Sequence, residues 1–123
     1  MMRLEWIAVV ALLGATGATA QTAEQGQYAA QLRAMFTSVA GGTCPADLMA
    51  DGLLKACQEQ LPQMASGLKA AGPIKTITFL KTELANGEWF EQYQVTFTNG
   101  APSKWTIGGL QDGKFKSVYS LGD

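Results

Sequence analysis

The chain of 123 residues contains no histidine. It therefore lacks the side chain that most often moves protons near neutral pH, and with it the commonest protein ligand for a transition metal. Cysteine is scarce, only Cys44 and Cys57; if these are bonded to each other, neither a cysteine nucleophile nor a cysteine metal site remains. There is no excess of either charge, with 9 Lys and Arg against 10 Asp and Glu. That balance gives no electrostatic footprint for nucleic acid or an anionic membrane surface, and no acidic block to form a solvated tail. No apolar run after Leu13 is long enough to cross a bilayer. Low-complexity segments are absent, and Gly108-Gly109 is not a phosphate loop because no helix follows it; a bulge or close packing suits that pair better.

What is present begins with a segment that reads as an address. Arg3 supplies a positive start, Trp6 to Leu13 an apolar stretch, and Ala18-Thr19-Ala20 a small-residue cleavage site, the three parts of a secretory signal peptide. Residues 1–20 are expected to be removed, leaving Gln21 as the mature N-terminus and 21–123 as one small domain, periplasmic or secreted, with no membrane attachment after cleavage. In an oxidising compartment an even cysteine count favours one disulfide, Cys44 to Cys57. A straight helix between them would hold their backbones ~20 Å apart, whereas a disulfide needs roughly 7 Å or less. The segment must double back, and Asp51-Gly52 is the expected corner.

Tyr28, Leu32, Met35, Phe36 and Val39 form one apolar stripe and predict a helix over Ala23 to Ala40, with Thr22 and Gln25 as a capping box and Gly41-Gly42 as its end. From Thr43 to Gly72 the expectation is two or three short helices stapled by the disulfide: one begun by Pro45 and Asp47, one over Leu53 to Gln60 and one begun by Pro62. Beyond Pro73 the pattern changes. Asn86-Gly87, Asn99-Gly100 and Asp112-Gly113 recur at a constant interval and supply the positive φ angles of tight turns. They divide the rest into four strands, about Ile74–Leu84, Glu88–Thr98, Ser103–Leu110 and Lys114–Ser120, an antiparallel meander. In the second strand Trp89, Glu91, Tyr93, Val95 and Phe97 alternate with mostly polar residues, so one face is buried. A three-residue loop through Ala101 pairs Val95 with Trp105 and Tyr93 with Ile107. In the first strand Ile74 and Leu80 fall on one face and Ile77 and Phe79 on the other, which suggests cover on both sides. The fourth carries Phe115 and Tyr119 on one face and Val118 on the other.

The fold class expected is therefore α+β: an N-terminal helix and short disulfide-stapled helices packed on a four-stranded antiparallel meander. The carboxylates Glu83, Glu88, Glu91 and Asp112 show no spacing that marks a catalytic or metal-binding pair. Glu91 shares the apolar face with Trp89 and Tyr93, where burial would make it a candidate base; the expectation is instead an exposed strand end and a solvated charge. The lysines Lys75, Lys81, Lys104, Lys114 and Lys116 are spread over the sheet as edge protection. Tyr28, Phe36, Trp89, Tyr93, Trp105 and Tyr119 are either an ordinary core or the lining of a ligand site between helix and sheet, with Trp89 or Trp105 alternatively anchoring a partner protein.

The segments L-K-A-A-G-P-I-K-T-I-T-F-L, N-G-E-W-F-E-Q-Y-Q-V-T-F-T-N-G and K-W-T-I-G-G-L-Q-D-G-K-F resemble small secreted bacterial domains of the cystatin-like superfold, the group with nuclear transport factor 2-like and ketosteroid isomerase-like proteins. The resemblance spans about Glu24 to Tyr119 and implies an N-terminal helix across a strongly curved sheet. It implies binding of small apolar ligands, catalysis in the cone between helix and sheet, or association alone, and fold does not choose among these. The acid–base pair of the enzymatic branches has no match here. The reading is thus a non-enzymatic binding domain, acting on a protein partner or second copy through its sheet or on a small apolar ligand in its cone, without cofactor. The alternative is a cone-type enzyme with Glu91 as base and Tyr93 or Tyr28 as donor.

Overall fold

The computed structural model describes residues 26–122. The signal segment, the Thr22 and Gln25 capping box and the start predicted at Ala23 lie outside them. Two helices and four strands follow in order: α1 Ala29–Ala40, α2 Asp51–Ala71, β1 Ile74–Ala85, β2 Glu88–Phe97, β3 Ser103–Gly108 and β4 Ser117–Gly122. The sheet has the order β1-β2-β3-β4, every neighbour antiparallel. It is an α+β fold, and the meander is the one its turn residues predict.

The predicted stripe of α1 does bury Leu32, Met35, Phe36 and Val39. Within the described residues the helix begins later than the apolar pattern suggests, because Gly26 has φ +80° and cannot continue a helical turn. Its backbone is pressed so closely on Phe79 and the Tyr93 hydroxyl that a Cβ would collide with both. At the other end Gly41 and Gly42 stop the helix as expected, their N–H groups donating to the Thr37 and Val39 carbonyls.

The connection between the helices corrects two expectations. Cys44 and Cys57 are bonded, with Cα atoms 6.1 Å apart, but the chain doubles back before Asp51-Gly52. A single turn closes when the N–H groups of Leu48 and Met49 donate to Pro45 O, and Asp51 then opens α2. The short helices are instead one 21-residue helix that contains Pro62. Proline removes one main-chain hydrogen bond and opposes the carbonyl four residues earlier. Here that carbonyl belongs to Gln58, and both residues are exposed, so the site is open to solvent rather than buried. The inward stripe Leu53, Cys57, Leu61, Met64 and Leu68 packs on the core and runs straight through the proline.

In the sheet, two register irregularities resolve the ambiguous first strand. One between Ile74 and Thr76 turns Ile74 toward the core with Ile77 and Phe79; the other leaves Leu80 as the extra, exposed residue. Between β2 and β3 the pairing is Tyr93 with Trp105 and Val95 with Ser103, two residues from the predicted register. A shift of two keeps every side chain on its face. It arises because Thr98 and Asn99 do not turn at once. Their N–H groups donate to Pro73 O and Ala71 O at 2.9 and 2.8 Å, and Pro102 has no N–H with which to extend the ladder.

The last connection also departs from its reading. Asp112 and Gly113, both at positive φ, make a tight turn ahead of β4, and Phe115 leaves the strand to pair with the interhelical connection. Its N–H donates to Leu48 O at 2.8 Å and its carbonyl accepts from Ala50 N at 2.9 Å. Phe115 is thereby buried, Val118 packs on the core and Tyr119 faces outward. Of the predicted central face, Tyr93, Val95 and Ile107 are fully buried and Trp105 is half-buried.

The connection carrying Cys44 is thus held to α2 by sulfur and to Phe115 by main chain. Replacing both cysteines by alanine is expected to lower unfolding stability by about 3 kcal/mol, the loop-entropy scale for a bridge of this span, measured by urea denaturation. The intact mass should rise by two hydrogens on reduction; an unchanged mass would refute the bond.

Candidate functional site

Strand β2 carries a charge into the interior. Glu91 is 2 % exposed, which overturns the expectation of a solvated strand end. The reason is the helix start. The first N–H groups of a helix have no intrahelical acceptor, and α1 has no side-chain cap of its own. The Glu91 carboxylate, arriving from the sheet 64 positions later, accepts from Gln27 N with both oxygens at 2.9 Å and from Tyr28 N at 3.0 Å. The Tyr93 hydroxyl donates to the same carboxylate at 2.5 Å and accepts from Tyr28 N at 3.1 Å. An anion at a helix N-terminus also meets the positive end of its dipole. The carboxylate is therefore engaged by protein donors and acts as a remote helix cap, holding the N–H of the N-cap residue Tyr28 and that of Gln27 just before the helix.

The phenols respond to that charge. Burial pushes the Tyr93 phenol well above its ordinary 10.0 and its hydrogen bond to Glu91 adds to the rise, against an opposing effect of the Tyr28 N–H. Tyr28 is also raised, first by desolvation and then by the Glu91 charge. Both stay protonated and neutral beside the carboxylate.

The six aromatic candidates do not form one cluster. Tyr28 stands at the start of α1 with its ring edge-on to Phe115, centroids 4.9 Å apart. Tyr93 is sealed beneath the helix start, edge-on to Phe79. Trp89 is 56 % exposed at the far end of β2, opposite the equally exposed Leu84. Tyr119 lies on the outside of β4, in a cleft beside the start of α2. Of their rings only those of Phe36 and Trp105 meet, edge-on with centroids 4.8 Å apart, and both line the same cavity.

That cavity, about 300 Å³, lies between α1, α2 and the sheet. Besides the two rings its wall contains Met35 and Val39 from α1, Met49 from the connection, and Leu53, Cys57 and Met64 from α2. Gln60 is the one polar side chain in the wall, and Glu91 does not take part. The Trp105 indole N–H is already bound to Ser103 Oγ at 2.9 Å. The contribution of α2 was hidden in the sequence by Gly52 and Pro62, yet Leu53, Ala56, Cys57, Gln60, Met64 and Leu68 follow helical spacing from just after Gly52 straight across Pro62. Among the described residues no group of three or more Cys, Asp or Glu could hold a metal ion. No described helix is long and apolar enough to cross a membrane.

Two outcomes follow from the Glu91 cap. Glu91→Gln replaces an acceptor by an amide that must turn a donor toward main-chain N–H groups, and should lower stability by about 2–4 kcal/mol; unchanged denaturation would mean that the carboxylate is not the cap. Because the Tyr28 and Tyr93 phenols are raised above 10.0, the folded state keeps protons that the unfolded chain releases. Their stabilisation is complete below pH 10 and is lost as pH rises past 10 toward the folded-state values. Denaturation between pH 8 and 11 should show this fall, with a shallower slope in Tyr93→Phe. No protein-family model, curated protein or solved structure shows significant similarity to the chain.

Proposed function

We propose that this chain is a non-enzymatic binding domain that works outside the cytoplasm, with the layout of the cystatin-like superfold, and that it holds a small apolar ligand between its helices and its sheet. The observation that carries the reading is the cavity of about 300 Å³ walled by Phe36, Trp105 and three methionines. Concave, mostly apolar sites with few polar groups are where proteins take small molecules. Methionine adds adaptable, polarisable contact surface. The disulfide suits an oxidising compartment and fixes Cys57, part of the wall. Binding is favoured over catalysis because the one buried carboxylate among the described residues is engaged by the start of α1 and lies outside the cavity wall.

Naphthalene is a suitable first probe, being apolar and small enough for the space. It should raise the melting temperature in a concentration-dependent way, as any ligand of the native state does. Gly67 is in the wall and has nothing within 4 Å of the place a Cβ would occupy. Gly67→Leu should therefore fold, gain helix stability and lose the naphthalene response. A wild-type melting temperature indifferent to naphthalene would refute the reading.

A further inference from the structure

We infer that the ligand of this cavity is uncharged, has about ten non-hydrogen atoms, and presents a single hydroxyl or amide end to the side chain of Gln60. The inference rests on the binding reading above and adds the chemical class. Size comes from the volume: about 300 Å³ stands at the lower end of small-molecule sites, roughly 300–1,000 Å³, and so suits a small ligand of about ten non-hydrogen atoms.

Neutrality comes from the wall, which among the described residues contains no titratable side chain. On α2 the residues facing the cavity repeat at helical spacing from Leu53 to Leu68; Lys55 and Glu59 fall between them, and Asp51 and Lys69 beyond them, all outside the wall. Arg33 of α1 is exposed and likewise outside it. An ionised ligand would leave water without meeting a counter-charge, a transfer that strongly disfavours binding. The methionine sulfurs are only weak acceptors and cannot replace hydration.

The polar end comes from Gln60. It is the one wall residue whose side chain both donates and accepts hydrogen bonds. It is also exposed where the other large wall residues are buried or half-buried, which places it at the mouth. Its neighbours along the same helix face, Ala56 and Gly67, are small and leave the mouth open. A ligand with its apolar body against Phe36, Trp105 and the methionines thus ends at an amide that can pair with a hydroxyl as donor or acceptor.

Four matched probes test this by calorimetry at pH 7: naphthalene, 2-naphthol, 2-naphthoate and 2-naphthylmethylammonium. The expected order is 2-naphthol about fivefold tighter than naphthalene, the scale of one neutral hydrogen bond, with both ions at least tenfold weaker than naphthalene. In Gln60→Leu the ratio between 2-naphthol and naphthalene should fall to about one. If either ion binds as tightly as naphthalene, or the 2-naphthol advantage is absent or survives Gln60→Leu, the assignment of ligand class is wrong while the binding reading stands. If none of the four binds, the binding reading itself has failed.

Discussion

The carboxylate of Glu91 joins the two layers of this fold. A buried ion without a cationic partner costs several kcal/mol unless its lone pairs are occupied, and here main-chain N–H groups of the helix start and one phenol occupy them. The same contact serves both sides: α1 gains the cap that its own sequence does not provide, and the sheet gains an interior acceptor for Tyr93. Because Tyr93 donates to Glu91 and accepts from Tyr28 N, the beginning of α1 is located against β2 at three points. Gly26 completes the arrangement, since only a residue without a Cβ fits between Tyr93 and Phe79.

Fixing the start of α1 fixes its rotation, and the rotation decides which side chains face inward. Leu32, Met35, Phe36 and Val39 are buried, which brings Phe36 against Trp105 and Phe97. The second helix is held by different means. Its beginning is bracketed by the disulfide and by the main-chain pairing of Phe115 with Leu48 and Ala50. The space between the helices is thus framed by two independent restraints, one electrostatic and one covalent.

The meander was legible because two local signals agreed, Asx-Gly turns and period-two alternation. The stripe of α1 was legible for the same reason. Local signals failed where longer contacts outweighed them. Gly52 and Pro62 look like breaks, but a continuous inward row from Leu53 to Leu68 repays the single hydrogen bond that Pro62 removes. The expected β2–β3 register rested on the hydrophobic pattern and the length of a loop at Asn99-Gly100, whereas Thr98 and Asn99 are already engaged by the α2–β1 link. Glu91 was the hardest residue to read. Apart from the Tyr93 phenol its partners are backbone groups, which leave no complementary residue type in the sequence. The aromatic candidates were chosen by type and the cavity by geometry, and only Phe36 and Trp105 satisfy both.

The distance along the chain between α1 and its cap bears on the order of assembly. A helix of 12 residues is marginal in water on its own, and this one has no local acceptor for its first N–H groups. Its acceptor becomes available only after β2 has formed, 64 residues on. Contacts this far apart require loop closure before they return any stabilisation, and they slow folding. The first described helix therefore depends, for the contact that holds its start, on a strand from the later part of the chain.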